Sequence, residues 1–499
     1  MNRLPASWAL CTIADVTAPV QTIDTARSND RDILYVDISS IDNLTNRIAE
    51  PKQLRLSSAP SRARQILKSG DVLFATVRPY LRNIAQVPES LDGEIASTGF
   101  AVLRAVDGVV PSYLFYKSIS RDFVAALTGE QYGVSYPAVK DDQVRAQPFE
   151  LPPTSEQRRI VSKIEELFSE LDKGVESLTT AREQLKAYRQ AVLKHAFEGK
   201  LTADWRETNR TRSESIQQRT EKLEHSRRKA WNDPKNTFRR GKYKPPAPYD
   251  DEDVPQVPND WALVSMDALT FHTTSGSRDW SQYYDRGDAT FIMAQNVRPA
   301  LYDPSFTQKI DPPINGADSE RTRAALDDLL VTIVGANTGN LCRFDIDSTS
   351  HYVCQSVALM RPVFPELARF LELYFQAETG GLRQYKRYIY GAGRPHLSFD
   401  QIKQTVAPLP DLQEAQLIVE RVSASFSQIE ALEDTLDDEV ARADVLRQAI
   451  LKKAFSGQLV AQNPKDETAS VLLQRIRAEK EDGDNGRKKN NKNGKKEAA

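Results

Sequence analysis

The chain contains one ten-residue pattern twice, far apart. The stretch VLKHAFEGKL begins at Val192 and ILKKAFSGQL begins at Ile450, so six of ten letters agree at a separation of 258 residues. LPPTSEQRRIV from Leu151 and LPDLQEAQLIV from Leu409 form a second pair at the same separation. A repeat of this length indicates that one structural unit has been duplicated. We therefore expect two parts of the chain to fold alike.

The duplication extends to the start of each copy. LPASWALCTIADVT from Leu4 aligns with VPNDWALVSMDALT from Val257, and further along Asp71 stands opposite Asp328. With 499 residues, of which 40% are hydrophobic, the chain is long enough for two or three cores. We expect six segments: a globular domain at 1–150, a helical region at 151–205, a charged Pro-rich linker at 206–258, a second globular domain at 259–406, a second helical region at 407–465, and a basic, disordered tail at 466–499.

Each globular part combines strand-like runs with one helix-like segment. The strand-like runs are Asp71–Val77, Ile95–Val106, Asp328–Val334 and Tyr352–Val363. The helix-like segments are Ser112–Leu127 and Leu367–Tyr385. This mixture predicts an α+β, or α/β-like, fold for both copies.

Each helical region carries apolar residues at spacings of four and three, a pattern typical of a coiled-coil seam. In the first copy the seam positions are Ile160, Ile164, Leu167, Leu171, Leu178, Leu185 and Val192. In the second copy they are Ile418, Val422, Ile429, Leu432, Leu436, Leu446 and Ile450. We expect a long α-helix after each globular domain and pairing of the two helices as an antiparallel coiled coil. The alternative is that each helix packs on its own domain or on another protein.

The sequence shows no motif for catalysis or metal binding. It lacks a GxxxxGK phosphate loop, and its five His and three Cys have no metal-ligand spacing. The DPPI stretch at Asp311–Ile314 has Ile where an amino-methyltransferase motif has an aromatic residue, so a proline turn is the better interpretation. We find no apolar run of roughly 20 residues and no signal peptide. Together with the unpaired cysteine pattern, this predicts a cytoplasmic protein.

Charge is distributed unevenly along the chain. The net charge is −2, yet residues 206–244 carry +8 and residues 485–499 carry +5, which leaves −15 for the remainder. The stretch LRQYKRYIYGAGRPHL from Leu382 mixes Arg and Lys with Tyr. Arginine can bind guanine or phosphate with two hydrogen bonds, so this composition indicates DNA contact, although a solvated helix face with buried tyrosines is the alternative. The candidate DNA-binding residues are Arg62, Arg64, Lys68, Arg78, Arg82 and Lys140 in the first copy, and Arg383, Lys386, Arg387, Tyr390 and Arg394 in the second.

The order of these motifs resembles the specificity subunit of type I restriction–modification enzymes. The resemblance rests on LPASW and VPNDW at the domain starts, LPPTSEQRRIV at the helix entry, LKHAFEGKL and LKKAFSGQL at the helix exits, and KYKPPAP in the linker. It implies that residues 1–150 and 259–406 are target-recognition domains, each followed by a helical region for spacing and docking. Ala415 stands where the first copy has Gln157, and we expect little consequence from this departure.

The resemblance implies a non-catalytic protein that reads DNA for its partners. Each domain would recognise half of a split, asymmetric double-stranded DNA target, with the helix pair as a ruler between the halves. Two methyltransferase subunits would supply S-adenosylmethionine and two motor–nuclease subunits would supply ATP and Mg, with no cofactor on this chain and no membrane contact. The alternatives are a specificity subunit of a stand-alone methyltransferase or another phage-defence system, a coiled-coil scaffold that reads no sequence, and a fused enzyme with dispersed catalytic residues.

Overall fold

The computed structural model describes residues 4–24, 28–128, 138–211, 213–236, 241–276, 280–313, 317–391 and 393–494. The chain divides into two compact units. Unit 1 comprises Met1–Thr179 and Asp437–Ala499, and unit 2 comprises Thr180–Leu436. Each unit therefore contains one globular part of the repeat together with a portion of each long helical region.

Two helices are much longer than the others. Each of these two, α5 and α13, has 44 residues, which corresponds to about 66 Å at 1.5 Å per residue. The helices are α1 (Ile13–Val16), α2 (Pro111–Ser118), α3 (Arg121–Thr128), α4 (Asp141–Arg145), α5 (Thr154–Phe197), α6 (Ala203–Asn209), α7 (Ile216–Asn232), α8 (Met266–Leu269), α9 (Ala317–Thr322), α10 (Ala368–Tyr374), α11 (Gly381–Tyr388), α12 (Phe399–Gln404), α13 (Leu412–Phe455) and α14 (Ala469–Gly494). A long helix after each globular part confirms that expectation.

The strands are short and fall into small sheets. Those of unit 1 are β1 (Ala9–Thr12), β2 (Thr17–Ala18), β3 (Asp32–Val36), β4 (Ile41–Asp42), β5 (Arg47–Ile48), β6 (Lys52–Arg55), β7 (Ala63–Ile66), β8 (Val72–Ala75), β9 (Ile84–Gln86), β10 (Ile95–Ser97), β11 (Phe100–Ala105) and β12 (Pro148–Leu151). Those of unit 2 are β13 (Ala262–Ser265), β14 (Thr270–Ser275), β15 (Tyr284–Ile292), β16 (Val297–Arg298), β17 (Leu301–Tyr302), β18 (Gln308–Ile310), β19 (Leu329–Thr332), β20 (Leu341–Arg343), β21 (His351–Val353), β22 (Val357–Pro362) and β23 (Val406–Leu409).

The two units share one sheet topology. Unit 1 has a sheet in the order β2-β11-β8-β9, and unit 2 has the corresponding order β14-β22-β19-β20. Antiparallel β1–β12 likewise corresponds to β13–β23, and parallel β3–β10 corresponds to β15–β21. The mixture of short sheets with short and long helices confirms the α+β fold class.

A buried ion pair occupies the same place in both cores. Arg104 binds Asp71 with Nε–Oδ1 and Nη2–Oδ2 distances of 2.8 and 2.7 Å, and Arg361 binds Asp328 with the same two distances. Both carboxylates are 1% exposed, and a carboxylate is retained at that depth only when it is paired. The aligned aspartates of the sequence therefore fix the same strand connection in each unit.

The helix expected in each globular part is in fact two helices. Ser112–Leu127 is divided between α2 and α3, and Leu367–Tyr385 is divided between α10 and α11. In unit 2 the break lies at Gly380, where an added Cβ would lie 2.8 Å from the Tyr374 ring. Glycine at this position permits the close approach that the turn requires. The apolar periodicity of the sequence did not predict the turn.

The linker contains a helix, and the tail is more ordered than we expected. In the linker, α7 buries Leu223, Arg219 and Arg227, and the Arg227 Nε donates to the carbonyl oxygens of Asp267 and Thr270. The prediction of a disordered tail is wrong for α14, whose Ala469, Leu472, Leu473 and Ile476 are buried in the core of unit 1. These residues follow a helical spacing, but the basic composition of the following residues obscured it.

Candidate nucleic-acid interface

The basic helix α11 of unit 2 is bound by acidic residues of the linker. Arg387 lies 2.5 Å from Asp250 and also contacts Glu252, and Arg383 lies 2.9 Å from Asp253. We call Asp250–Asp253 the acidic strap. Four carboxylates on this short segment neutralise the exposed end of α11, so the two arginines hold the linker to the globular part.

Hydrogen bonds within this contact shift the pKa values of the groups involved. The backbone N–H of Glu252, the Tyr388 hydroxyl and Arg387 together lower the pKa of Asp250. Tyr388 donates to Asp250 at 2.7 Å, and its burial together with this carboxylate raises its pKa to about 12. Asp250 is therefore charged near neutral pH and bound by Arg387 and Tyr388. Lys386, on the same helix, is exposed and lies 3.6 Å from Glu378.

Tyr390 and Arg394 lie on a hairpin that follows α11. The backbone N–H of His396 donates to the Tyr390 carbonyl at 2.9 Å, and the Tyr390 hydroxyl lies 3.1 Å from His396 Nδ1. The Pro395 carbonyl accepts hydrogen bonds from the N–H of Gly335 and the hydroxyl of Thr338, which ties the hairpin to the turn after β19. Arg394 is thus exposed on a firmly attached backbone.

A groove of about 800 Å³ opens beside this hairpin. Its lining is mixed polar and apolar, and it includes Arg394, His396, Gln355, Ser356, Ser275 and Phe399. Gln355 is exposed in the turn between β21 and β22. Such a concave surface with polar side chains at its rim suits a ligand that presents both flat apolar faces and hydrogen-bonding edges.

In unit 1 the candidate basic residues lie on a strand, two turns and a helix start. Arg62 and Arg64 are exposed at β7, and Arg64 Nε donates to the Ser61 carbonyl at 2.9 Å. Lys68 is exposed and its backbone N–H donates to Asp71. Lys140 is exposed just before α4, and the preceding residues 129–137 lie outside the described part of the chain.

Arg78 and Arg82 flank a short helical turn with an unusual backbone. Both have positive φ, +49° and +55°, whereas the corresponding positions of unit 2 are Gly335 and Gly339. A side chain in this left-handed region costs on the order of 1 kcal/mol. Arg82 is half-buried and its Nη2 donates to the Ile119 carbonyl at 2.6 Å, which offsets that cost. Arg82 thus anchors the turn to the globular part.

The long helices contact each other within each unit through a repeated cluster. In unit 1, Arg447 of α13 binds Asp172 of α5 and lies over the Phe168 ring at 5.6 Å. In unit 2, Arg189 of α5 lies over the Phe426 ring of α13 at 4.5 Å and is 3.8 Å from Glu430. Each residue of one cluster is 258 positions from its counterpart in the other. In unit 1 α13 provides the arginine and α5 the phenylalanine, and in unit 2 the two helices exchange these contributions.

The helix segments run antiparallel within each unit. In unit 1 the start of α5 shares a core with the end of α13, and in unit 2 the end of α5 shares a core with the start of α13. Of the predicted seam, Ile160, Ile164, Val192, Ile418, Val422 and Ile429 are buried, and Leu167, Leu171, Leu178, Leu185, Leu436 and Ile450 are half-buried.

Two predicted seam residues point away from the contact. Leu432 is 53% exposed and Leu446 is 47% exposed, whereas Phe426, which the four–three spacing omitted, is buried. A straight helix has 3.6 residues per turn, so a strict 3.5-residue pattern drifts from the contacting face. The signal that would have identified Phe168 and Phe426 is their own alignment across the repeat.

Comparisons with known proteins agree with this architecture. The chain is 26% identical over 345 residues to the type I restriction enzyme EcoBI specificity subunit of Escherichia coli, which covers 66% of this chain and 64% of that protein. It is 22% identical to the type I restriction enzyme StySPI specificity subunit of Salmonella potsdam, over 96% and 97% of the two chains. No protein-family model matches it.

A solved structure concerned with complex assembly and conformational transition of the type I R-M system has the same fold. It superposes with a TM-score of 0.63 at 27% identity, over 92% of this chain and all of that one. The chain is thus similar, over nearly its whole length, to specificity subunits of type I restriction enzymes, and it shares the fold of this R-M system structure.

In this chain, a buried glutamate joins each globular part to a long helix. Trp8 Nε1 donates to Glu156 at 3.0 Å in unit 1, and Trp261 Nε1 donates to Glu414 at 2.8 Å in unit 2. The tryptophans belong to the LPASW and VPNDW motifs, so these motifs position the domain on its helix. Sequence reasoning used the motifs but missed both glutamates.

The glycine after each long helix has a matching role. Gly199 and Gly457 have φ of +71° and +72°, and an added Cβ would lie 2.2 Å from Pro258 and 2.3 Å from Pro5. Each helix exit therefore lies against the opening motif of the globular part in the same unit. The repeated exit sequence is explained by this close approach.

The described residues contain neither a metal-binding group nor a membrane-spanning helix. No group of three or more His, Cys, Asp or Glu side chains there is arranged to hold a metal ion. No helix in that part of the chain has the length and apolar character that crossing a membrane requires.

Proposed function

We propose that this chain is the specificity subunit of a type I restriction–modification enzyme and that it reads a bipartite, asymmetric double-stranded DNA target, with one half-site for each unit. The observation that carries the proposal is the contrast between shared cores and unlike surfaces. Both units have the same sheet order and the same buried Arg–Asp pair. Their exposed turns differ, with Arg78 and Arg82 in one unit and Gly335 and Gly339 in the other. Two unlike half-sites require two readers that differ at the surface.

The long helices serve as ruler and docking surface in this proposal. Their contacts repeat as the Arg–Phe–acid clusters, which suits two identical partners docking in equivalent ways. Large apolar side chains remain exposed on them, namely Tyr188, Leu432, Val440, Val445 and Leu446. Exposed apolar side chains in this number favour burial against another protein.

The partners in this proposal are two methyltransferase subunits and two motor–nuclease subunits. The former carry S-adenosylmethionine and methylate adenine N6, and the latter use ATP and Mg to cleave DNA. In this proposal, the chain itself binds no cofactor and has no catalytic residues. The complex acts on DNA in the cytoplasm. The basic residues of both units remain proposed DNA contacts, and the six sequence segments remain the proposed domain division.

The test is a map of DNA methylation. The chain is co-expressed with its methyltransferase partner in a host without DNA methylation, and modified adenines are located by single-molecule sequencing. A split motif with a fixed gap, lost when this chain is omitted, supports the proposal. Methylation that is unchanged without the chain would instead indicate a scaffold that reads no sequence.

A further inference from the structure

The basic cluster of unit 2 is largely neutralised within the chain. Arg383 and Arg387 bind the acidic strap, and Lys386 lies near Glu378. Arg394, in contrast, has no ion pair or side-chain hydrogen bond with any described residue. An exposed guanidinium without an internal partner keeps all five N–H donors available to a ligand.

The backbone of Arg394 is also fixed in advance of binding. Its hairpin is tied at Tyr390–His396 and again at Pro395 to the turn after β19. A side chain on such a support loses little backbone freedom on binding, which favours selective recognition.

The groove beside Arg394 contains a second side chain of the same kind. The Gln355 amide is exposed and has no side-chain hydrogen bond among the described residues. The repeat places Thr98 at the corresponding position of unit 1 and Gly99 opposite Ser356. The strand connection is therefore retained while its side chains change, as expected of residues that determine specificity.

We propose that Arg394 and Gln355 contact base edges of the half-site that unit 2 reads, an inference that rests on the function proposed above. Arginine pairs with the O6 and N7 atoms of guanine through two hydrogen bonds, and glutamine pairs with the N6 and N7 atoms of adenine. The groove provides the concave surface against which the duplex lies. Arg383 and Arg387 hold the strap and do not read bases.

The experiment maps methylation with variants of the full chain, co-expressed with the methyltransferase partner. Arg394→Ala and Gln355→Ala each relax one position within the same half-site, lowering discrimination there about 10- to 100-fold. Arg394→Lys gives the same relaxation, because a lysine keeps the charge but cannot form the paired hydrogen bonds. The other half-site and the gap stay unchanged.

Arg286→Ala is the matched control, because it removes the same group from an exposed position of the same unit that does not line the groove. It should leave the motif intact. Restoration of the full motif by Arg394→Lys would overturn the proposal in favour of a phosphate contact. Unchanged motifs in both alanine variants, or relaxation in both half-sites, would also overturn it. These outcomes require that the wild-type chain gives a motif, so a wild type without one refutes the proposed function separately.

Discussion

Replacing the buried glutamate at each domain–helix junction with Gln should lower the stability of unit 2 more than that of unit 1. The two substitutions are Glu414→Gln and Glu156→Gln. Glu414 uses both carboxylate oxygens: Oε1 accepts from Thr202 and from Arg206 at 2.5 Å, and Oε2 accepts from Trp261. An amide at this position must place its NH2 group against one of these donors. Glu414→Gln therefore loses at least one bond and leaves Arg206 with the more distant Asp260, 3.9 Å from its Nε, as its charged partner.

The cost follows from the burial of Arg206. Breaking a fully buried ion pair costs about 3–5 kcal/mol, and a hydrogen bond to a charged group contributes about 1.5–3 kcal/mol. Because the Arg206 side chain is 16% exposed and water can solvate part of it, we expect about 2–3 kcal/mol. For a unit of this size that is a fall in Tm of about 4–12 °C.

Glu156→Gln is the matched control in unit 1. Both of its donors, Trp8 and Gln462, bind the same oxygen, Oε1, and neither donor is charged. An amide oxygen can accept both bonds, so the expected loss is below about 1 kcal/mol. Scanning calorimetry of the full chain at pH 7 measures both variants. Equal Tm changes, or a larger change for Glu156→Gln, would refute this account of the two junctions.

Four other outcomes follow from the structure. Burial raises the pKa of Glu156, so the folded state favours its protonated form and stability falls as pH rises from about 4.5; denaturation across pH should show this slope lost in Glu156→Gln. Burial lowers the pKa of His272 to about 4, so stability should fall by on the order of 3 kcal/mol as pH drops from about 6.5 to about 4, and a wild-type slope retained in His272→Gln would contradict this. Gly199→Ala and Gly457→Ala should each destabilise the chain by more than about 1 kcal/mol, because both glycines have positive φ and closely approach a proline; unchanged denaturant midpoints would refute it. Seven residues inserted into the middle of both α5 and α13 should add about 10 Å and lengthen the gap in the methylated motif by about three base pairs, and an unchanged gap would contradict the ruler.

The parts of the fold that could be predicted are those that local periodicity or the alignment of the two repeats indicates. Residues buried at the ends of α5 and α13, such as Ile164 and Ile418, follow a regular spacing. The aligned Asp71 and Asp328 identify the buried ion pairs because the same residue is required at the same depth. These features depend on neighbouring residues or on duplication, both of which a single sequence displays.

The parts that could not be predicted depend on contacts between distant segments. The acidic strap reaches α11 across more than 130 residues, as in the contact of Asp250 with Arg387, and no local pattern indicates this. The same contact changes the interpretation of the basic cluster. From their charge alone, Arg383, Arg387 and Arg394 were equally good candidates for DNA contact. The contacts of each side chain distinguish them: Arg383 and Arg387 bind the linker, whereas Arg394 has no partner among the described residues.

The central claim is that each unit reads one half-site independently. The most direct measurement is the methylation map of a chimera in which residues 259–406 are replaced by the corresponding domain of a related specificity subunit with a different target. The account predicts that one half-site changes to that of the donor while the other half-site and the gap remain as in the wild type. A change in both half-sites, or in neither, from an assembled and active complex would contradict it.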